Sequence, residues 1–149
     1  MVVPERAAAL SSPVFLDAVL GDRTVKNTLS YGQMAHKPGF HVMEAPTDHW
    51  VETATGLGAT GVEVMLAHVV GHPLQGHRMI PLLQASSDPE TLEKYGDDLD
   101  VLLEVDPSSW ADQMLRAVSA VASREYTPRL FEANNTDFQF TRGLLGVSM

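Results

Sequence analysis

The chain has 149 residues, 44% of them hydrophobic, and ten Lys and Arg against nineteen Asp and Glu give a formal net charge of −9. That length and apolar content provide for a folded core and exclude a disordered chain, while the acidic balance argues against nucleic acid or an anionic membrane as partner. With no cysteine, a disulfide scaffold, a thiol nucleophile and a Cys-ligated metal are excluded as well, which suits a cytoplasmic protein.

Residues 1–12 read as a flexible lead-in without the pattern of a secretory signal, and residues 13–149 as a single α/β domain. Pro13–Leu20 predicts a short helix ended by Gly21. Phe40–Met43 is a β-prone run closed by Pro46, after which Thr47 or Asp48 stands where a helix N-cap belongs. Trp50, Val51, Ala54 and Leu57 follow at helical spacing, and Gly56, Gly58 and Gly61 are expected to break or end that helix. Val62–Ala67 predicts a strand covered on both faces. It enters a His- and Gly-rich loop, His68 to His77. Met79–Ala85 predicts a second strand, with Pro81 confining it to an edge, a start or a bulge. Asp88-Pro89-Glu90 opens a helix, with acids in the first turn where the dipole favours them. Val101–Val105 reads as a short strand, and Ser108 or Ser109 caps a long helix through Trp110, Met114, Leu115, Val118 and Val121. No apolar run approaches the ~20 residues of a membrane-spanning helix. Strands alternating with helices predict an α/β fold with a mostly parallel sheet.

Chemistry concentrates in the loop. His68, His72 and His77 fall within ten residues after a strand, and in open α/β sheets ligands bind outside the carboxyl ends of strands. Histidine serves there as a general acid or base, or as a metal ligand. The spacing matches no established metal motif, so hydrogen-bonded or solvated histidines are the competing reading. Gly71 and Gly76 bracket His72-Pro73-Leu74-Gln75 and free backbone N–H groups to approach an anion, and Arg78 adds a fixed charge for a carboxylate. Glu44, at the end of the earlier strand, and Thr47 beyond it are further candidate substrate contacts. Nine acidic residues against Lys94 fill Asp88 to Asp112. This window reads as a solvated face, since the spacing from Asp97 lacks the Gly and Glu of an EF-hand. The tail, Asp137 to Met149, is apolar and carries Arg142, so it is expected to dock on its own core or on a partner.

Several of these motifs follow one another in the order of a known family. KPGFHVMEAP (37–46), ETATGLGATGVEVMLAHVVGHPLQG (52–76), P-x-x-Q-x-S-x-D-P-E-T (81–91), DDLD (97–100) and the ending from Phe138 together resemble the C-terminal part of the altronate/galactarate dehydratases, a family that also includes the sulfolactate sulfo-lyase large subunit. The likeness runs over roughly residues 28–149. It implies a Rossmann-like three-layer α/β domain and a part in eliminating water or sulfite from a small acidic substrate, a sugar acid or sulfo-acid. It further implies a divalent metal held mainly by other domains, companion small and central domains or subunits, and an oligomer. On this reading His68, His72 and His77 are the catalytic candidates. Glu44, Thr47, Gly71, Gly76, Arg78 and Arg142 are the substrate-binding ones. The family's MDTP is MEAP here, its TTGRG loop is HVVGHPLQG, and its D-I-N-x-G stretch loses Asn and Gly after Asp100. These departures keep a second reading open, a non-catalytic binding or assembly module on the same fold. A third is a free-standing metal-binding domain using the three histidines.

Overall fold

The structure is a computed structural model that describes residues 1–21, 25 and 28–139. They fall into two units, residues 1–62 with Gln139 and residues 63–138.

The first unit contains β1 (Val2–Pro4), α1 (Pro13–Leu20), β2 (Thr28–Leu29), β3 (His41–Met43) and α2 (Trp50–Ala59). β3 is central and pairs in parallel with both β1 and β2. The residues read as a flexible lead-in therefore carry the first strand: Val2, Val3 and Pro4 stand opposite His41, Val42 and Met43. The Met1 ammonium donates to the Gly39 carbonyl at 2.8 Å. β-branched valines suit the pleat, and Pro4 is tolerated because β1 is an edge strand. α1 forms as expected, with Pro13 in its first turn and the Ser12 hydroxyl accepting from the Phe15 N–H.

α2 departs from the expectation in two ways. His49, not Thr47 or Asp48, occupies the N-cap position, and it makes no side-chain cap bond. Gly56 and Gly58 lie inside the helix instead of ending it. The chain leaves helical geometry only beyond Ala59, and Gly61 takes φ 95°. Packing explains Gly56: a Cβ there would stand 2.4 Å from Cε2 of the Tyr31 ring. The tyrosine hydroxyl donates to the Glu52 carbonyl at 2.6 Å. Val51, Ala54 and Leu57 are buried on the same helix, with Leu29, Met43 and Ala45 completing the apolar interior of this unit.

The second unit contains β4 (Met65–His68), β5 (Gly76–His77), β6 (Leu82–Ser86), α3 (Pro89–Tyr95), β7 (Val101–Leu102), α4 (Trp110–Ala122), α5 (Arg129–Glu132) and β8 (Thr136–Asp137). One sheet has the order β4-β6-β7, and β5 pairs with β8. All five residues of β6 are buried, as a central parallel strand requires. Pro81 lies just ahead of that strand, where its missing N–H costs no ladder bond. Asp88 caps α3 by accepting the Thr91 N–H at 2.9 Å, as the sequence predicts. α4 begins at Trp110 with Ser109 ahead of it, after a 3-10 turn over Pro107–Ser109 that Asp106 caps.

One acid of the Asp88–Asp112 window is not a solvated face. Asp100 accepts the Gln84 N–H on one oxygen, and the Tyr126 hydroxyl and the Arg129 N–H on the other, at 2.7–2.9 Å. Burial, with the bonded and charged Asp100 beside it, pushes the Tyr126 hydroxyl up to about 12.

Every strand pairing described is parallel, and helices separate β1 from β2, β3 from β4, β6 from β7 and β7 from β8. This is the Rossmann-like α/β class expected from the sequence. Gly56→Ala tests the packing logic. Alanine gains about 0.5–1 kcal/mol in a helix, but forcing a methyl into the Tyr31 ring costs about 1–3 kcal/mol. The clash outweighs the propensity, so urea denaturation is expected to show a net loss of about 1–2 kcal/mol.

Candidate functional site

The loop leaving β4 is held at successive points by buried polar side chains of the next strand and helix. The Ser86 hydroxyl, fully buried, donates to the Val69 carbonyl at 2.8 Å. The Gly71 N–H donates to the Thr91 hydroxyl at 2.8 Å, and that hydroxyl donates in turn to the Asp88 carboxylate at 2.6 Å. Gln84, 1% exposed in the middle of β6, binds Leu74 twice. Its Oε1 accepts the Leu74 N–H at 2.6 Å, and its Nε2 donates to the Leu74 carbonyl at 2.8 Å. A side-chain amide thereby replaces a ladder partner for a segment that is not a strand, satisfying backbone groups that would otherwise be costly to bury. Gly71 has φ 95° with open space where a Cβ would stand, so glycine is needed for its backbone conformation, not for room.

His68 ends β4 and is exposed, with Nε2 3.3 Å from the Ser87 hydroxyl. It lies at the carboxyl end of a parallel strand, where the sequence reading looked for a site. Two hydrogen bonds from Thr91 hold the neighbouring Asp88 carboxyl below the ordinary range, and the charge on His68 adds to the effect. His72 is exposed between the points where Gly71 and Leu74 are held. Arg78 is exposed too. One guanidinium nitrogen donates to the Thr136 hydroxyl at 3.1 Å, and among the described residues it forms no ion pair.

His77 differs from the other two. It is 2% exposed, on β5 opposite Asp137. Its Nδ1 accepts the Met79 N–H at 3.2 Å, and its ring meets Phe138 edge-on with centroids 5.5 Å apart. Burial pulls its pKa below the ordinary histidine value, against the opposing pull of Asp137. A neutral packed imidazole is what this geometry requires. Gly76 is buried in the same pair, where a Cβ would press to 3.3 Å on Thr136 Cγ2 and 3.4 Å on the Asn135 carbonyl oxygen. Its glycine reflects strand pairing.

Glu44 and Thr47 belong to the first unit. Glu44 is exposed just past β3, and its N–H donates to the Leu29 carbonyl at 2.8 Å. The Thr47 hydroxyl is engaged: it donates to Glu52 Oε2 at 2.8 Å. Glu52, a carboxylate only 1% exposed, escaped the sequence reading because nothing in its spacing distinguishes it from an ordinary first-turn acid. Gln84 was legible in principle, as a lone amide inside an apolar run. Arg142 lies outside the described residues.

Among the described residues no three His, Asp or Glu side chains converge as a metal set. The three histidines are therefore not a metal centre, and the implied divalent ion does not fit the residues described. Among those residues, too, no helix is long and apolar enough to cross a membrane. The model of the family described as D-galactarate/altronate dehydratase, C-terminal, matches residues 18–143. No curated protein matches the chain.

Two outcomes are expected. Gln84→Leu keeps the volume but strands both polar groups of Leu74, at about 1–3 kcal/mol each. Stability should fall by about 2–4 kcal/mol, and amide exchange at Leu74 should speed up more than at Asp100, whose N–H is bonded to the residue 84 backbone carbonyl. For His77 the folded pKa is depressed, so the unfolded chain binds the proton more readily. Its contribution is complete above the unfolded value near 6.5 and is lost as pH falls from there through the folded value. Thermal melts should show this decline in the wild type and a weaker one in His77→Gln.

Proposed function

Since the chain belongs to the D-galactarate/altronate dehydratase C-terminal family, we propose that it supplies one part of a hydroxy-acid lyase that removes water from a sugar acid. The observation that carries this reading is the rigidly held loop at the carboxyl end of β4. There His68 and His72 stand exposed, and the Arg78 guanidinium has no carboxylate partner among the described residues. In the proposed reaction a base takes the proton α to the carboxylate, the electron pair forms the carbon–carbon double bond, and the β-hydroxyl leaves as water with a proton from an acid. His68 and His72 are assigned the proton transfers, with Gly71 shaping the loop. Arg78 is assigned the substrate carboxylate. Glu44 and Arg142 stay candidates for substrate contact. His77, Gly76 and Thr47 are assigned to holding the scaffold. Companion small and central domains complete the site in this reading, and the divalent metal belongs to them.

The departures of MEAP and HVVGHPLQG from the family's motifs support a second reading, a binding or assembly module whose catalytic groups lie elsewhere. One experiment separates the two. The chain is joined with its companion domains, and formation of the keto-acid product from galactarate and altronate is followed. Under the lyase reading, His68→Ala and His72→Ala are each expected to lower kcat by about 10²–10⁴, with Arg78→Ala acting chiefly on KM. Full activity in a His68→Ala/His72→Ala double variant would establish the assembly reading instead.

A further inference from the structure

β4 and β6 run parallel with His68 opposite Ala85, so both strands deliver their next residues to one end of the sheet. His68 closes β4, and Ser87 and Asp88 follow the last residue of β6. The His68 Nε2 lies 3.3 Å from the Ser87 hydroxyl, and its Nδ1 has no partner among the described residues. The turn that carries Ser87 and Asp88 is fixed. The Asp88 N–H donates to the Ser86 hydroxyl at 3.1 Å, and that buried hydroxyl donates to the Val69 carbonyl. Thr91 donates twice to Asp88 Oδ2, from its N–H and from its hydroxyl. The other carboxylate oxygen, Oδ1, has no partner among the described residues.

The two exposed histidines of the loop therefore stand in different surroundings. A general acid enters a reaction charged, and a general base enters it neutral. The Asp88 carboxylate and a charged His68 attract each other. No hydrogen bond joins Asp88 to the ring, so the carboxylate acts on the charge of the imidazole and not on its tautomer. The His72 ring has neither a hydrogen bond nor an ion pair among the described residues. In a charged imidazole both nitrogens donate. The Nε2–H of His68 then goes to the Ser87 hydroxyl, and Nδ1–H alone is left to give.

Given the lyase reading of this loop, on which the inference rests, we propose that Ser87 and Asp88 are positioning residues that make His68 the general acid, with Nδ1 delivering the proton, and leave His72 as the base. His72 takes the proton α to the carboxylate. The electrons of that carbon–hydrogen bond form the double bond, and the bond from the β-carbon to its hydroxyl oxygen breaks with its pair on oxygen. The His68 Nδ1 proton converts the leaving hydroxide to water. The enol becomes the keto acid, and exchange with solvent returns both histidines to their starting states.

The test compares two leaving groups in the chain joined with its companion domains: galactarate, and galactarate with fluorine in place of the β-hydroxyl. Loss of fluoride gives the same keto acid but needs far less help from an acid. Both rates are read as kcat for the wild type and four variants. His68→Ala is expected to raise the ratio of the fluoride rate to the hydroxyl rate about 10²–10⁴-fold. His72→Ala should lower both rates and hold the ratio near the wild-type value. Ser87→Ala should raise the ratio about tenfold. Asp88→Asn should raise it about two- to fivefold, since asparagine still caps α3 and only the charge is removed. A merely structural role for Ser87 or Asp88 would lower both rates together and leave the ratio unmoved. That result, or a ratio that rises in His72→Ala and not in His68→Ala, overturns the proposal. If Ser87→Ala does not fold, Asp88→Asn and His68→Ala decide. Turnover of neither substrate by the wild type ends the lyase reading and this assignment together. Turnover of both, with a ratio that no variant moves, ends the assignment alone.

Discussion

The second unit depends on one constraint: β6 is buried along its whole length yet carries two polar side chains, Gln84 and Ser86. A central strand uses its backbone groups on its neighbours, so those side chains need partners elsewhere. They find them in the segment after β4. Ser86 takes the Val69 carbonyl, and Gln84 takes both polar groups of Leu74. The strand gains satisfied polar atoms, and the loop gains a fixed path. Because a buried group left unmade costs more than a made bond contributes, the two elements specify each other.

That coupling places the exposed histidines. A loop containing two glycines and a proline has many conformations available, and ordering it carries a conformational cost at each residue. Holding it at Val69, Gly71 and Leu74 brings His72 to a defined position on the surface and leaves His68 at the strand end beside Ser87. The same scaffold distributes the acids. Asp88 caps α3 and anchors Thr91, and Asp100 gathers Gln84, Tyr126 and Arg129. Part of an acidic window that looks like a solvated face in sequence is thus internal wiring.

The β4 loop presents exposed titratable groups at the carboxyl end of a parallel strand, where ligands bind in open α/β sheets.

The sequence by itself determined the class of fold, the family, and the element types from Pro13 to Leu20 and from Met79 to Val121. Each of those rests on local signals: a Ser or Asp cap, a proline in a first turn, an apolar run, an ordered string of motifs. It also pointed to the His68–Arg78 loop, since a strand entering a His/Gly segment is visible in one dimension. The tertiary structure alone decided what depends on distant partners. Val2–Pro4 became a strand because β3 offers an open edge, and Gly56 stayed helical because Tyr31 needs its space. His77 was drawn from the loop into a buried strand pair by Thr136 and Asp137. His41 and Glu52 came to be buried. Burial and hydrogen-bond partnership are properties of pairs of residues, and no spacing along a single segment encodes which residue comes to lie against which.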